Sequence, residues 1–592
     1  MPSQSVIICS KDLDATDLNL ARLLDFFGVG YRIIHLNNCV FEPDCLAERL
    51  GSDDPCVFMS CKAIAASLQN SRDCNALRAF LCNNVSHMLV YNISPTDLEI
   101  SAINCLTDGT IKSLSHFNNG DYQYKVSKDL GEICRQFSGL AFGPINNKTD
   151  FKFSKTNESA GVSNLVAIDG HPFFVRMNIG KCDAFLVANN RILDINKKTT
   201  RMIKTEELFS QIVPEMMFIK YVFNDKCWHN STSHASLTVD DPLLRQRYGF
   251  LDYRRLLEEM DKHEFSASIA FIPWNFRRTS SEVAGLFRER PDRFTICVHG
   301  CDHTQNEFGT RDMKELNSKI ELATTRMNHH ERVAGLRYDK VMVFPQGKFS
   351  TSSMRMLKSN NYVAAVNTGA IPVDESEGLE VSHFLEPAVM KYESFPLFLR
   401  RCPVGCLDFA FDLFLGRPAL AVVHHDCFRE GYHRIATFID RMNSLDKNIR
   451  WVGLESIIER SYLQRREDDN TINVRMFAKR AVISNTCDHV MKYIITKCET
   501  GNVPIEGIVI NGKGVSCEVE NQLLNLSLEI EPKQSAIVEI TYRNDYPYSE
   551  ERYKIGRGLK VSLRRHLSEI RDHYISRNEL LLSIAQRMFR ES

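Results

Sequence analysis

No ordinary export signal is expected: the stretch MPSQSVIICSKDLDATDLNLARLL has no basic n-region and no long apolar h-region, and its charges begin at Lys11. The chain also lacks a long hydrophobic run free of charge. The best candidate, LDFAFDLFLGRPALAVV from Leu407, contains Asp408, Asp412, Arg417 and Pro418, which a spanning helix tolerates poorly. A soluble, cytoplasmic protein without a transmembrane segment is therefore expected. Neither sign of charge is in excess, since 73 Lys plus Arg face 74 Asp plus Glu. That balance excludes both a whole-chain basic field for nucleic acid and an acidic, disordered chain. The 19 cysteines are odd in number, scattered and without a CxxC pair, which argues for buried or free thiols rather than a disulfide scaffold. GxGxxG and P-loop motifs are absent, so no nucleotide is expected. No internal repeat or low-complexity tract stands out.

What is present is a long chain with changing rhythm. At 592 residues it calls for roughly three to five compact units. The first, 1–215, alternates strand-like and helix-like pieces: SVIICS, then DATDLNLARLLDFFG with a cap at Asp14 or Thr16, then YRIIHL, CVFMS and HMLVYNI. A meander joined by Asp-Gly and Gly-Lys turns follows from Leu165. This reads as an open α/β accessory domain. Between 216 and 465 seven short apolar runs appear, at 235–239, 267–272, 294–298, 341–344, 362–366, 420–423 and 449–452. Helix-like segments such as DYRRLLEEMDKH separate most of them. Buried strands linked by helices imply parallel crossovers, and seven of them suggest a barrel. Polar, alternating runs over 466–548 suggest a small antiparallel β-sandwich. The last segment, 549–592, places apolar residues at Leu559, Leu563, Leu567, Ile570 and Tyr574, then Leu581, Ile584 and Met588, which is helical spacing. Arg557, Lys560, Arg564, Arg565 and Arg571 make this amphipathic helix basic. Contact with an anionic membrane, or with another domain or subunit through the apolar stripe, is expected of it.

In a parallel barrel the chemistry sits where strands end. The first run ends in SLTVDDP, with Asp240 and Asp241 side by side. Taken alone the stretch is ordinary turn chemistry. However, the third run ends in His299 and continues HGCDHT, with His303 four residues on; the fourth ends in FPQG; the sixth ends in His424, His425 and Asp426. Any one of these histidines could be a hydrogen-bonded core residue. Their recurrence at equivalent positions favours a site. Two neutral imidazoles and a carboxylate fill three positions on Zn²⁺ or a similar divalent ion, which lowers the pKa of bound water to ~7. A cation on one aspartate would also relieve the repulsion felt by the other.

TVDDP, HGCDH, FPQG and VVHHD, in this order, resemble the motifs of the polysaccharide deacetylase (NodB homology, carbohydrate esterase family 4-like) superfamily, over residues 216–465 only. The resemblance implies a distorted (β/α)₇ barrel and a metal-dependent deacetylase acting on an N-acetylated glycan or oligosaccharide. It makes Asp240 the catalytic base and Asp241, His299 and His303 the ligands of a divalent metal, Zn²⁺ first. The proton donor to the leaving amine is His425 if an HD ending is matched and His424 if HHDCF is read as H-x-D-x-F. The second reading is adopted with the first kept beside it. Pro345 and Gly347 of FPQG would line the pocket, and Trp274 and Asn275 of FIPWN would stand at a rim where an aromatic face can stack a sugar. Two departures matter: the turn reads TVDDP where TFDDG is usual, and the arginine that normally orients the base is not visible beside Pro345. A non-sugar amide as substrate, or a degenerate barrel that only binds carbohydrate, are the competing readings.

Overall fold

The computed structural model describes residues 5–10, 12–36, 55–71, 74–117, 121–145, 147–155, 161–516, 519–546 and 555–572, together with Leu46, Glu48 and Leu50. The chain forms two compact units. The first, Met1–Lys198 with Ile203–His229 and Glu380–Ser382, is built on a nine-stranded sheet. Its strands Tyr31–His35, Ser5–Cys9, Cys56–Ser60, His87–Tyr91 and Cys182–Val187 are parallel neighbours. The sheet then continues as an antiparallel meander. Ser5–Cys9 and Cys56–Ser60 are buried throughout, as strands covered on both faces must be. Asp14, not Thr16, caps the helix Ala15–Phe27, accepting from the N–H groups of Thr16 and Asp17 in a capping box. The expected boundary at 215 falls inside the helix Thr205–Phe223, whose apolar residues pack within this unit. The division comes after it, at His229.

The second unit holds the barrel. Seven parallel strands follow one another: β1 (His234–Asp240), β2 (Ala267–Phe271), β3 (Phe294–His299), β4 (Asp339–Val343), β5 (Ala364–Asn367), β6 (Leu397–Leu399) and β7 (Ala419–His424). The order β6-β5-β4-β3-β2-β1-β7 is continuous. One bridge closes the ring: the Arg401 N–H donates to the Leu420 carbonyl at 2.8 Å, and the Val422 N–H to the Arg401 carbonyl at 2.9 Å. Closure removes the edges that an open sheet would expose.

Six of the seven expected runs became these strands. The seventh, 449–452, did not: Arg450–Trp451 pairs only with His234 and Ala235 at the foot of β1. Its place is taken by β6, three residues long and preceded by Pro396. A proline in so short an apolar run argues against a strand when sequence alone is read. Here its carbonyl is what the ladder uses, accepting from the Ala365 N–H at 3.0 Å.

After the barrel come five strands of a six-stranded sheet and a four-stranded sheet that share one core, with Val474, Met491 and Ile495 of one facing Ile483, Val538 and Ile540 of the other. This is the expected sandwich with one difference: Thr471–Met476 and Met491–Cys498 run parallel. The sandwich is tied to the barrel by a buried ionic knot. Glu499 accepts from Lys358 Nζ of a barrel helix at 2.6 Å and from Lys497 Nζ and the Tyr542 hydroxyl at 2.5 Å each. Burial alone would raise the Glu499 carboxyl, but Lys497 and Lys358 hold it below the usual range. The knot therefore contributes stability at neutral pH and loses it as pH falls through that depressed value. Glu499→Gln leaves two buried ammonium groups short of their counter-charge. It is expected to cost about 3–5 kcal/mol, read as a lowered thermal midpoint and a smaller loss of stability on acidification than in the parent.

The C-terminal helix, Ile555–Ile570, docks with its polar side inward. Val561, Arg565 and Asp572 are buried, whereas Leu563, Leu567 and Ile570 are exposed. This reverses the expectation that the apolar stripe would be the covered face. Exposure of those three residues does not by itself support a membrane or subunit contact. The Arg557, Leu559 and Lys560 side chains, Tyr574, Leu581, Ile584 and Met588 lie outside the described residues. Among the described residues no helix is long and apolar enough to cross a membrane.

Candidate metal centre at the barrel mouth

Asp240 is the last residue of β1, 3% exposed. Arg400, directly after β6, grips it with both arms, Nη1 to Oδ1 at 2.6 Å and Nη2 to Oδ2 at 2.7 Å. No arginine stands beside Pro345; the guanidinium that grips Asp240 comes instead from the residue that follows the three-residue strand β6. Burial would raise the Asp240 carboxyl, but Arg400, followed by His299, holds it below the usual carboxylate range.

Asp241 leaves the strand with φ of 76°, outside the alternation that would point it away from the pocket. Its Oδ1 lies 3.3 Å from His299 Nε2 and 3.1 Å from His303 Nε2. The adjacent aspartates thus face different partners, which is how two such close charges coexist. His299, 2% exposed at the end of β3, hydrogen-bonds through Nδ1 to the Val343 carbonyl at 2.9 Å. That bond puts the proton on Nδ1 and leaves Nε2 as the lone-pair donor. Burial pushes the His303 imidazole down to about 4, against the pull of Asp241, and a neutral imidazole is the form that ligates a metal.

The loop between the two histidines is braced from behind. Glu307 accepts from the backbone N–H of Cys301 at 3.1 Å, Asp302 at 2.8 Å and His303 at 3.2 Å. Arg326 pairs with Asp302 at 2.7 Å. Gly300 has φ of 67°, and a Cβ there would lie 2.4 Å from Pro345 Cγ and 2.5 Å from Glu307 Oε2, so only glycine fits. Pro345 therefore supports the histidine loop, and Gly347 takes a φ of 67° in the same turn. Asp241, His303 and Gln346 are non-glycine residues with positive φ around this one site, and such strain gathers where function fixes geometry. Cys301, Asp302 and Glu307 also cluster, but both carboxylates are already committed to Arg326 and to the backbone.

The two candidate acids part company. His424 is exposed by 57% at its side chain, with Nε2 3.9 Å from Asp240 Oδ2. His425 turns away into a buried cluster with Tyr248 and Phe250, its Nε2 3.5 Å from Asp572. The rim residues differ from expectation as well. Asn275 is fully buried, which puts it beneath the rim. Trp274 carries the Arg326 guanidinium 5.0 Å over its ring, so that face is occupied by protein.

The donor set fits a divalent cation. One carboxylate and two imidazoles present atoms all within 4.8 Å of one another, and Asp241 Oδ1 is buried with no hydrogen-bond partner among the described residues, which suits a ligand oxygen.

No protein-family model and no curated protein matches the chain. Solved structures do. The carbohydrate deacetylase Agd3 aligns at TM-score 0.48 and 10% identity, over 91% of this chain and 98% of that one. Peptidoglycan deacetylase PdaC from Bacillus subtilis aligns at TM-score 0.24 and 13% identity, over 39% of this chain and 92% of its own. A family 4 carbohydrate esterase from Streptomyces lividans aligns at 0.24 and 10%, over 38% and 92%.

Proposed function

We propose that the barrel is a metal-dependent hydrolase that removes N-acetyl groups from an amino-sugar-containing glycan. The observation that carries this reading is the meeting, on one barrel face, of the Asp241, His299 and His303 donors with Asp240, held ionised by Arg400 (Oδ1–Nη1 2.6 Å). Asp241, His299 and His303 would hold the ion, and Zn²⁺ suits two imidazoles and a carboxylate. When bound, such a cation supplies Lewis-acid polarisation of the acetyl carbonyl. Asp240 accepts the proton of the attacking water as the new C–O bond forms. His424 delivers a proton to the nitrogen as the C–N bond breaks, so that acetate and a free amine leave. The exposure of His424 and its 3.9 Å approach to Asp240 support it over His425 as the donor.

The test pairs elemental analysis of the purified full-length protein with acetate release from an N-acetylated amino-sugar oligomer. About one equivalent of divalent metal and measurable release are expected. Release only from a non-sugar N-acetyl amide would move the substrate class, and a metal content near zero would favour a barrel that only binds carbohydrate. His424→Ala is expected to lower release ~10² to 10⁴-fold with metal retained, as for loss of a general acid. His425→Ala should cost less activity, and the opposite order would exchange their roles.

A further inference from the structure

The C-terminal helix crosses the barrel mouth on ionic anchors. Arg278, in the loop after β2, donates to Glu569 from both arms, at 2.5 and 2.8 Å. Tyr248, after β1, donates to Asp572 at 2.7 Å, and His425, after β7, lies 3.5 Å from the same carboxylate. Three loops of the catalytic face thus hold one end of one helix.

One turn before Glu569, on the same inward face, the helix carries Arg565. This side chain is 5% exposed, and its Nε is shut off from solvent with no hydrogen-bond partner among the described residues. The acids of its own helix face are spent elsewhere, Glu569 on Arg278 and Asp572 on Tyr248. Its field reaches Asp241 and His303. A guanidinium taken out of water is costly unless an anion answers it. The acids its charge reaches are Glu569, already taken by both arms of Arg278, and Asp241, which the deacetylase reading commits to a dication. In that loaded state Arg565 has no carboxylate of its own among the described residues, and His424, 57% exposed at its side chain, is the solvent-open group of the same barrel face. A carboxylate matches the guanidinium fork and can take two parallel hydrogen bonds from it.

We propose that Arg565 forms an anion subsite beside the acetamide position, and that the preferred glycan carries a carboxylate on the acetylated unit or its neighbour. The C-terminal helix is then a wall of the substrate cleft that selects acidic sugars. The proposal rests on the deacetylase reading, and the experiment separates the two. Metal-loaded full-length protein is assayed for kcat/KM on two matched N-acetylated oligosaccharides, one with a uronate beside the acetylated unit and one with the corresponding neutral hexose. Calorimetric affinity for the acidic oligosaccharide is measured in parallel, since it needs no turnover. A preference for the acidic oligosaccharide of about tenfold or more is expected, equivalent to about 1.4 kcal/mol and shrinking as ionic strength rises. Arg565→Gln should abolish most of that ratio and weaken binding of the acidic oligosaccharide, and Arg565→Lys should keep part of both. An unaltered thermal midpoint of the lysine variant would separate recognition from simple loss of the helix. Equal rates on the two substrates, or a ratio that Arg565→Gln leaves unchanged, overturn the subsite. Absence of acetate release with affinity still lost in Arg565→Gln overturns the deacetylase reading and supports the subsite. Absence of both overturns both.

Discussion

Asp240→Asn is expected to keep its metal and lose ~10² to 10⁴-fold in acetate release, the usual range for a missing general base. The amide preserves shape but cannot take up the water's proton, and the three metal donors are untouched. The substitution has a second, separable effect. Arg400, 4% exposed, would face a neutral group, and removal of one partner of a buried pair costs about 3–5 kcal/mol. A lowered thermal midpoint should therefore accompany the lost activity. Asp240→Asn combined with Arg400→Met removes both halves of the pair and should recover much of that stability without recovering activity. Metal analysis, acetate release and thermal melting on the parent, the single variant and the double variant decide it. Loss of metal from Asp240→Asn would mean that this carboxylate is a ligand and that the two aspartates have exchanged roles.

Asp241→Ala, His299→Ala and His303→Ala should each show the reverse pattern, with metal lost first and activity following. A three-donor site reduced to two no longer satisfies the ion. The fall in affinity should exceed the ~10 to 100-fold typical of losing an outer hydrogen-bond partner. Equilibrium dialysis against Zn²⁺ provides the measurement. The three variants need not be equal, because His299 is fixed through Nδ1 to Val343, whereas His303 rides on a loop braced by Glu307. Asp241→Ala that keeps both metal and activity would remove the site as drawn.

What the sequence made legible was local. Asp240 and Asp241, His299 and His303, and His424 and His425 each sit within a few residues of one strand end, and strands reveal themselves by short buried runs. The barrel was readable for the same reason. What stayed hidden depended on long-range geometry. Arg400 is 160 residues from Asp240, behind a three-residue strand and a proline, so neither spacing nor periodicity announced it. Glu307 lies close to the HGCDH segment, yet its role is to accept backbone N–H groups, a pattern that leaves no mark on side-chain spacing. Helical periodicity in 549–592 located the helix but not which face turns inward. That was decided by Arg278, Tyr248 and His425 on three distant loops, which offered more to a polar stripe than water offered to a leucine stripe.

The ring of staves is sealed at Arg401, by the shortest strand and a single bridge. Protein segments open first where few hydrogen bonds hold them, so this seam is the natural point of local opening in the barrel. The residue next to it, Arg400, keeps Asp240 charged while buried. Each excursion of the seam would withdraw that guanidinium and leave His299 alone to oppose the effect of burial on the carboxyl, which would shift upward. The charge on Asp240 is thus tied to how long the seam stays shut, through the backbone bonds of Arg401 with Leu420 and Val422, that of the Arg400 N–H with Asn367, and the grip of the Arg401 guanidinium on Asp412.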